Sequence, residues 1–221
     1  IFFTMAMEKQ YSIRDTHTRS ITAVGYNPLR REIVLGFEDG VVKSWEAESG
    51  KLLQTFYEHK GWVTDFLFWT DAKVMLSSAN DAQIVVWSSG SVADTINMAV
   101  PIYCMAINPR RHQLVCGVNG GVRVYALDKD KDSGHYIKNR VLHFSKEHKD
   151  IVRCILCHES RVYSAGYDQR LVIYDSSYSR NNSLAPVLNN IIHDAGIACM
   201  VLAKHNENNI WLLTGSFDKT L

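Results

Sequence analysis

No sign of charge dominates this sequence: 24 Lys and Arg stand against 23 Asp and Glu, a formal net of +1 over 221 residues. Binders of nucleic acid or anionic membrane ordinarily carry a strong basic excess, so neither class is expected. Long apolar runs are missing too, none approaching the roughly 18 residues a spanning helix needs. The opening Ile1–Met7 is too short for a signal-peptide core and has no basic leader. Position 1 is not Met, so the chain is expected to begin inside a longer one. Five cysteines form an odd set without framework spacing, which suits a reducing compartment. The Asn181-Asn182-Ser183 sequon, without a secretory context, is expected to stay unmodified. What is plentiful is apolar material, 46% of residues, enough for a buried core.

That material is periodic. An acidic or amide turn residue is followed six positions later by an aromatic: Asp39 and Trp45, Asp81 and Trp87, Asn119 and Tyr125, Asp168 and Tyr174. A fifth turn, at Asp218, stands close to Leu221. The turns recur at 42, 38, 49 and 50 residues, a period that marks repeat architectures. His17, His59, His148 and His193 each stand four residues before a β-branched residue (Ile21, Val63, Val152, Ile197), with Met98 before Ile102 in the third repeat. From those openers, Val24, Phe66, Met105, Ile155 and Met200 form one column. Tyr26, Phe68, Ile107, Cys157 and Leu202 form the next, two residues on. Period-two alternation is the signature of a strand with one buried face. A second strand precedes each turn, a third carries the aromatic, and a fourth follows it, clearest at residues 51–56. Such four-stranded units cannot cover both faces alone and stack radially.

On these residues the chain resembles the WD40-repeat β-propeller family. The resemblance implies an all-β fold of about five visible four-stranded blades at 17–57, 58–97, 98–145, 146–190 and a truncated 191–221, with 1–16 ending a preceding blade. It further implies an excerpt of a propeller of seven or more blades, extending before Ile1 and past Leu221. Members tie each blade with a His, Ser/Thr, Asp, Trp tetrad. Repeat two offers His59, Ser77, Asp81 and Trp87; repeat four His148, Ser164, Asp168 and Tyr174; repeat five His193, Thr214 and Asp218. Repeat one keeps His17, Asp39 and Trp45 but has Leu35 for the hydroxyl. Repeat three has Met98, Val115, Asn119 and Tyr125, and without the network it is expected to be the least rigid.

Several motifs invite chemistry. His59, Ser77 and Asp81 have the residue types of a nucleophilic triad, but an enzyme needs one such site and this set recurs, so a structural role is expected and no catalytic residue. Cys154-x-x-Cys157 on a strand would point its sulfurs to opposite faces, against a metal or redox pair. Cys104, Cys154 and Cys199 share a column with Ala23 and Asp65, and Cys116 one with Gly36, Ser78, Ala165 and Gly215, so cysteine reads as a small buried hydrophobe. Residues 128–134 resemble a calcium loop, but the glycine falls one place late and Asn139 replaces the bidentate Glu; a solvated loop is expected, with no metal and no cofactor. Arg30-Arg31 and Arg110-Arg111 follow Asn-Pro in equivalent turns and read as exposed charges.

Propellers of this family often use the face formed by the His and Asp loops. The implied positions directly precede the Asp (Glu38, Asn80, Val118, Tyr167, Phe217) or stand three and five after the His. Aromatic and Arg side chains dominate interfaces, so Trp62, Tyr103, Arg153, Tyr167 and Phe217 are the expected partner-binding patch, with packing between blades the competing role for each. The expected function is a non-catalytic protein–protein scaffold within a larger protein, with other proteins as partners and no small-molecule substrate. Alternatives are a phosphoinositide-binding propeller using the Arg-Arg turns, or an accessory subunit of an enzyme complex. The expected location is cytoplasmic. The loops at 128–139 and 176–190 and the irregular repeats also resemble large WD-repeat proteins of cilia and flagella.

Overall fold

The computed structural model describes residues 12, 15–132, 134–177, 183–204 and 210–221. Residues 1–11, in the segment expected to end a preceding blade, lie outside them. The described residues form eighteen strands in five antiparallel sheets. The first sheet is β1 (Ile21–Asn27), β2 (Glu32–Phe37), β3 (Val42–Glu46) and β4 (Leu52–Phe56); the second is β5 (Val63–Trp69), β6 (Val74–Ala79), β7 (Gln83–Ser88) and β8 (Ser91–Asn97). The third is β9 (Cys104–Asn108), β10 (Gln113–Val118), β11 (Gly121–Leu127) and β12 (Ile137–Ser145); the fourth is β13 (Val152–His158), β14 (Arg161–Gly166), β15 (Arg170–Asp175) and β16 (Ala185–Ile191). The fifth, in the repeat expected to be truncated, pairs β17 (Ile197–Lys204) with β18 (Ile210–Ser216). Strands join in chain order within each sheet, and the first strands pack successively, β1 on β5, β5 on β9, β9 on β13, β13 on β17. That places five sheets around one axis, inner strands together. Two inserted loops are shorter than expected: residues 137–139 are already β12, and 185–190 belong to β16.

Apolar layers fill the spaces between sheets, as stacking demands. Val34, Val63, Met75 and Trp87 join the first sheet to the second; Trp69, Leu76, Val86, Leu114 and Tyr125 the second to the third. Val115, Val124, Val162, Tyr174 and Leu184 join the third to the fourth, and Ala165, Leu171 and Ile197 the fourth to the fifth.

Each Asp turn is built alike. The carboxylate accepts the N–H two residues on, from Val41, Gln83, Arg170 or Thr220. The residue between is left-handed: Gly40, Ala82, Gln169 and Lys219 have φ of 89°, 65°, 68° and 70°. In the second blade Trp87 Nε1 donates to Ser77 Oγ (2.9 Å), so the Ser77 hydroxyl donates to His59 Nε2 (2.8 Å) and His59 Nδ1–H donates to Asp81 (3.2 Å). His148 repeats this with Ser164 (2.7 Å) and Asp168 (3.0 Å), and His193 with Thr214 (2.9 Å) and Asp218 (3.0 Å). Tyr174 differs from a Trp in that its hydroxyl accepts from Ser145 of the preceding sheet (3.2 Å). Burial pulls Asp81 and Asp168 upward, but hydrogen bonds from the histidines and from the Lys60 and Lys149 N–H outweigh it and hold both carboxyls below their ordinary range.

Where the hydroxyl is absent the arrangement changes. His17 turns Nε2 toward Asp39 (3.3 Å) and sets its ring edge-on to Phe37 at 4.3 Å, while Trp45 packs with Phe37 and Val41. In the third blade the register overturns the expected alignment. Phe66 pairs with Ser77 and Ile155 with Ser164, but Met105 pairs with Cys116. Cys116, not Val115, therefore takes the hydroxyl position, and Gly117, not Cys116, joins the column of Gly36, Ser78, Ala165 and Gly215. The cause is a hairpin one residue shorter, Val118 pairing directly with Gly121. Fully buried Met98, Ile102, Cys116 and Tyr125 fill the place of the polar network.

Polar ties also run between sheets. Thr22 Oγ1 donates to the Val63 carbonyl (2.6 Å), Thr64 Oγ1 to that of Ile102 (2.5 Å), Cys104 Sγ to that of Val152 (3.3 Å) and Cys154 Sγ to that of Ala198 (3.4 Å). Asp65 accepts from the Met105 N–H of the next sheet (2.7 Å) and from Phe66 N–H (2.9 Å). Burial pushes its carboxyl up to about 6, against those hydrogen bonds and the Arg153 charge.

Two outcomes are expected. Ser77→Ala strands the His59 and Trp87 nitrogens without their shared oxygen and should cost about 2–3 kcal/mol in urea unfolding; a loss below about 1 kcal/mol would mean the network carries little weight. For Asp65 the folded pKa lies above the unfolded value, so its contribution to stability falls as pH rises from about 4 through about 6. Wild type should therefore lose on the order of 2 kcal/mol relative to Asp65→Asn between pH 4 and pH 7.5, and a pH-independent difference would refute the assignment.

Candidate functional site

The inner strands of the first, second, fourth and fifth sheets all carry a bulge one residue past the opener, at Thr22, Thr64, Arg153 and Ala198. In the third sheet Tyr103 occupies the same place, its N–H donating to the Gly117 carbonyl (2.9 Å). A bulge re-aims its side chain out of the pleat, here toward the end of the inner strands where the His and Asp loops lie. In the first two sheets the bulge residue is a threonine spent on the next sheet's carbonyl. In the third and fourth that donor is the cysteine one residue later, Cys104 or Cys154. The bulge positions are thereby released for two large side chains, Tyr103 and Arg153.

These side chains converge. Trp62, Tyr103, Arg153 and Tyr167 line one cleft of about 320 Å³, together with Thr22, Val63, Thr64 and Ile151. Trp62 and Tyr167 are 44% and 38% exposed, so neither is absorbed into an inter-blade layer. Phe217 does not line the cleft; it stands at its rim, 63% exposed, with its ring 6.0 Å from that of Tyr167. Arg153 Nη1 donates to the Tyr103 carbonyl (3.2 Å), which fixes the guanidinium in the wall. Burial raises the Tyr103 phenol above its ordinary value, and the Asp150 charge adds to this, so the ring keeps its proton. Val118, expected on this face by its place before the turn, is buried at 3% exposure because its hairpin is the short one. Thr22 and Ile151, which stand five and three residues after His17 and His148 and so are among the positions the resemblance implied, complete the wall.

The other candidate chemistries have different geometries. Ser77 is wholly buried between His59 and the Trp87 indole, leaving a substrate no approach to its hydroxyl. Burial pushes the Cys154 and Cys157 thiols up to about 12, the wrong direction for a nucleophile or metal ligand. Cys199 departs from the expected buried role and is exposed, since β17 meets a neighbouring sheet, through β13, on one side only. Asp128 of the calcium-like loop turns inward, accepting from the Asp132 N–H (3.2 Å), and among the described residues no cluster suited to a metal forms. Arg30 and Arg31 are occupied by Glu32 (2.7 Å) and Glu48 (2.6 Å), and Arg111 reaches the Ser176 carbonyl (3.5 Å). At least three of the four turn arginines are thus engaged within the protein, which weighs against a phosphoinositide site there. No described helix is long and apolar enough to cross a membrane.

Known proteins agree with this architecture. Residues 50–88, spanning β4 to β7, match the family model described as WD domain, G-beta repeat. The chain is 24% identical over 187 residues to the small ribosomal subunit protein RACK1 of Caenorhabditis elegans, covering 81% of this chain and 57% of that protein. It is 25% identical over 144 residues to the target of rapamycin complex subunit wat1 of Schizosaccharomyces pombe, covering 63% and 45%. Subunit I of eukaryotic translation initiation factor 3 from Culex quinquefasciatus matches at 22% over 172 residues, covering 72% and 52%. The chain thus spans about half the length of these relatives. None of the three is named for a cilium or flagellum, so that side resemblance finds no support here. Repeat spacing, sheet topology and these similarities together identify the chain as a member of the WD40-repeat family, its four-stranded sheets the blades of a β-propeller.

Proposed function

We propose that this chain is a non-catalytic scaffold for protein–protein interaction and that a partner docks in the Trp62, Tyr103, Arg153, Tyr167 cleft, with Phe217 at its rim. The observation that carries this is the convergence of those four side chains, drawn from three blades, on one partly open space. Three aromatic rings and an arginine supply large contact area with few rotors to freeze, the composition of interface hot spots. The relatives' names fit, each describing a component of an assembly: a ribosomal subunit, a target of rapamycin complex and an initiation factor. We place the protein in the cytoplasm, in keeping with its balanced charge and five free cysteines.

Replacing Arg153 by Glu and Tyr167 by Ala together should abolish recovery of partners from cell extract, with unfolding midpoints within a few degrees of wild type. Unchanged recovery by a folded double variant would place the docking face elsewhere.

A further inference from the structure

A second cleft, of about 440 Å³, opens between the first and second blades, away from the one above. Its origin is visible by comparing equivalent positions at successive blade boundaries. Cross-strand pairing makes Asn27, Glu32, Val34 and Ser44 of the first blade equivalent to Trp69, Val74, Leu76 and Val86 of the second. At the second boundary those four residues pack a closed layer against Leu114 and Tyr125, with the Trp69 indole edge-on to Tyr136 at 6.3 Å. At the first boundary the opposing wall is similar, Met75 and Trp87, with Phe56 at 4.6 Å from the Trp87 ring. The filling side is not: an indole has become a carboxamide (Asn27), and three aliphatic side chains have become shorter or polar (Glu32, Val34 and Ser44). The space left is that of an aromatic residue.

The floor of that space is polar and unsatisfied. Ser44 is 3% exposed, lines the cleft, and its Oγ has no hydrogen-bond partner. Its column elsewhere holds Val86, Val124 and Ile173, so a hydroxyl here does nothing for the sheet and leaves a desolvated group unpaired. Beside it Glu32, 5% exposed, binds Arg30 Nε through Oε1 alone. Arg30 in turn lies across Gly90, where a β-carbon would strike its guanidinium, so the cation forms the rim. Its face is available to an entering ring.

We propose that this inter-blade cleft is a docking pocket for a tryptophan side chain presented by an exposed segment of a partner protein. The incoming indole would take the place that Trp69 fills one blade on, stack on Phe56 and Trp87, lie under Arg30, and donate its N–H to Ser44 Oγ. The volume lies within the roughly 300–1,000 Å³ of ligand pockets. A phenylalanine would fill the space but leave Ser44 unpaired. This site is independent of the Arg153 cleft.

The test is titration of the 221-residue chain with N-acetyl-tryptophanamide and N-acetyl-phenylalaninamide, followed by ligand-observed NMR. The tryptophan amide should bind saturably and at least about fivefold more tightly than the phenylalanine amide. The double variant Val34→Leu with Ser44→Val copies the second blade at two of the four positions, narrowing the cleft and removing its hydroxyl; it should keep or raise the thermal midpoint and lose binding more than tenfold. Ser44→Ala alone, which leaves the space open, should bring the two amides to near-equal affinity. The Arg153→Glu, Tyr167→Ala variant should bind the tryptophan amide as wild type does. No saturable binding by wild type, equal binding by the filled double variant, or an unchanged preference in Ser44→Ala would each overturn the proposal.

Discussion

Near the start of each inner strand from the second sheet on, a backbone carbonyl, that of Val63, Ile102, Val152 or Ala198, faces the preceding blade. A buried acceptor without a donor costs free energy comparable to a lost hydrogen bond. The preceding blade answers with a short side chain, Thr22, Thr64, Cys104 or Cys154, and the resulting contacts set how closely consecutive inner strands approach. At the same level the bulges of the first, second, fourth and fifth sheets turn a side chain toward the end of the axis. Blade spacing and the makeup of the cleft are therefore set at one level of the inner strands. Moving the donor from the bulge residue to its neighbour, as in the third and fourth blades, converts a tie point into a contact residue without loosening the stack.

Within a blade the polar network is adaptable, whereas the apolar layer is not. His17 meets the loss of a hydroxyl by turning its other nitrogen to Asp39. The third blade dispenses with the network and fills its volume with Met98, Cys116 and Tyr125. What persists at every boundary is apolar packing between adjacent sheets. Even the first boundary, with its polar corner, keeps Val34, Val63 and Trp87 buried together. This ordering follows from magnitudes: a net hydrogen bond is worth about 1 kcal/mol, whereas a buried large aliphatic or aromatic side chain contributes about 1.5–3 kcal/mol.

Much of this was legible in the sequence, because repetition multiplies weak signals. The six-residue step from Asp to aromatic and the four-residue step from His to a β-branched opener located strands and turns. The family resemblance resting on those steps implied the positions from which all five aromatic and arginine candidates were drawn, four of which line one cleft. Two things escaped. The one-residue shortening at Val118–Gly121 is invisible to counting from the turn, since Asn119 and Gly120 look like any other turn; only pairing of Met105 with Cys116 reveals it. The inter-blade cleft escaped because Ser44 in a column of valine and isoleucine looks like ordinary drift. Its meaning depends on Asn27, seventeen residues away in sequence, being small at the same corner.

The Arg153 cleft has walls from three blades and a floor edged by a fourth, since Thr22, Trp62, Tyr103 and Arg153 belong to successive sheets. Its shape exists only while those sheets hold their mutual tilt. Whatever settles there acts as a staple as well as a guest. By linkage, occupancy adds RT ln(1 + [L]/Kd) to the stability of the arc, and a blade that slips withdraws one wall and releases the occupant. Assembly and folding of such a disc are coupled equilibria, and each partner gained makes the scaffold a stiffer one.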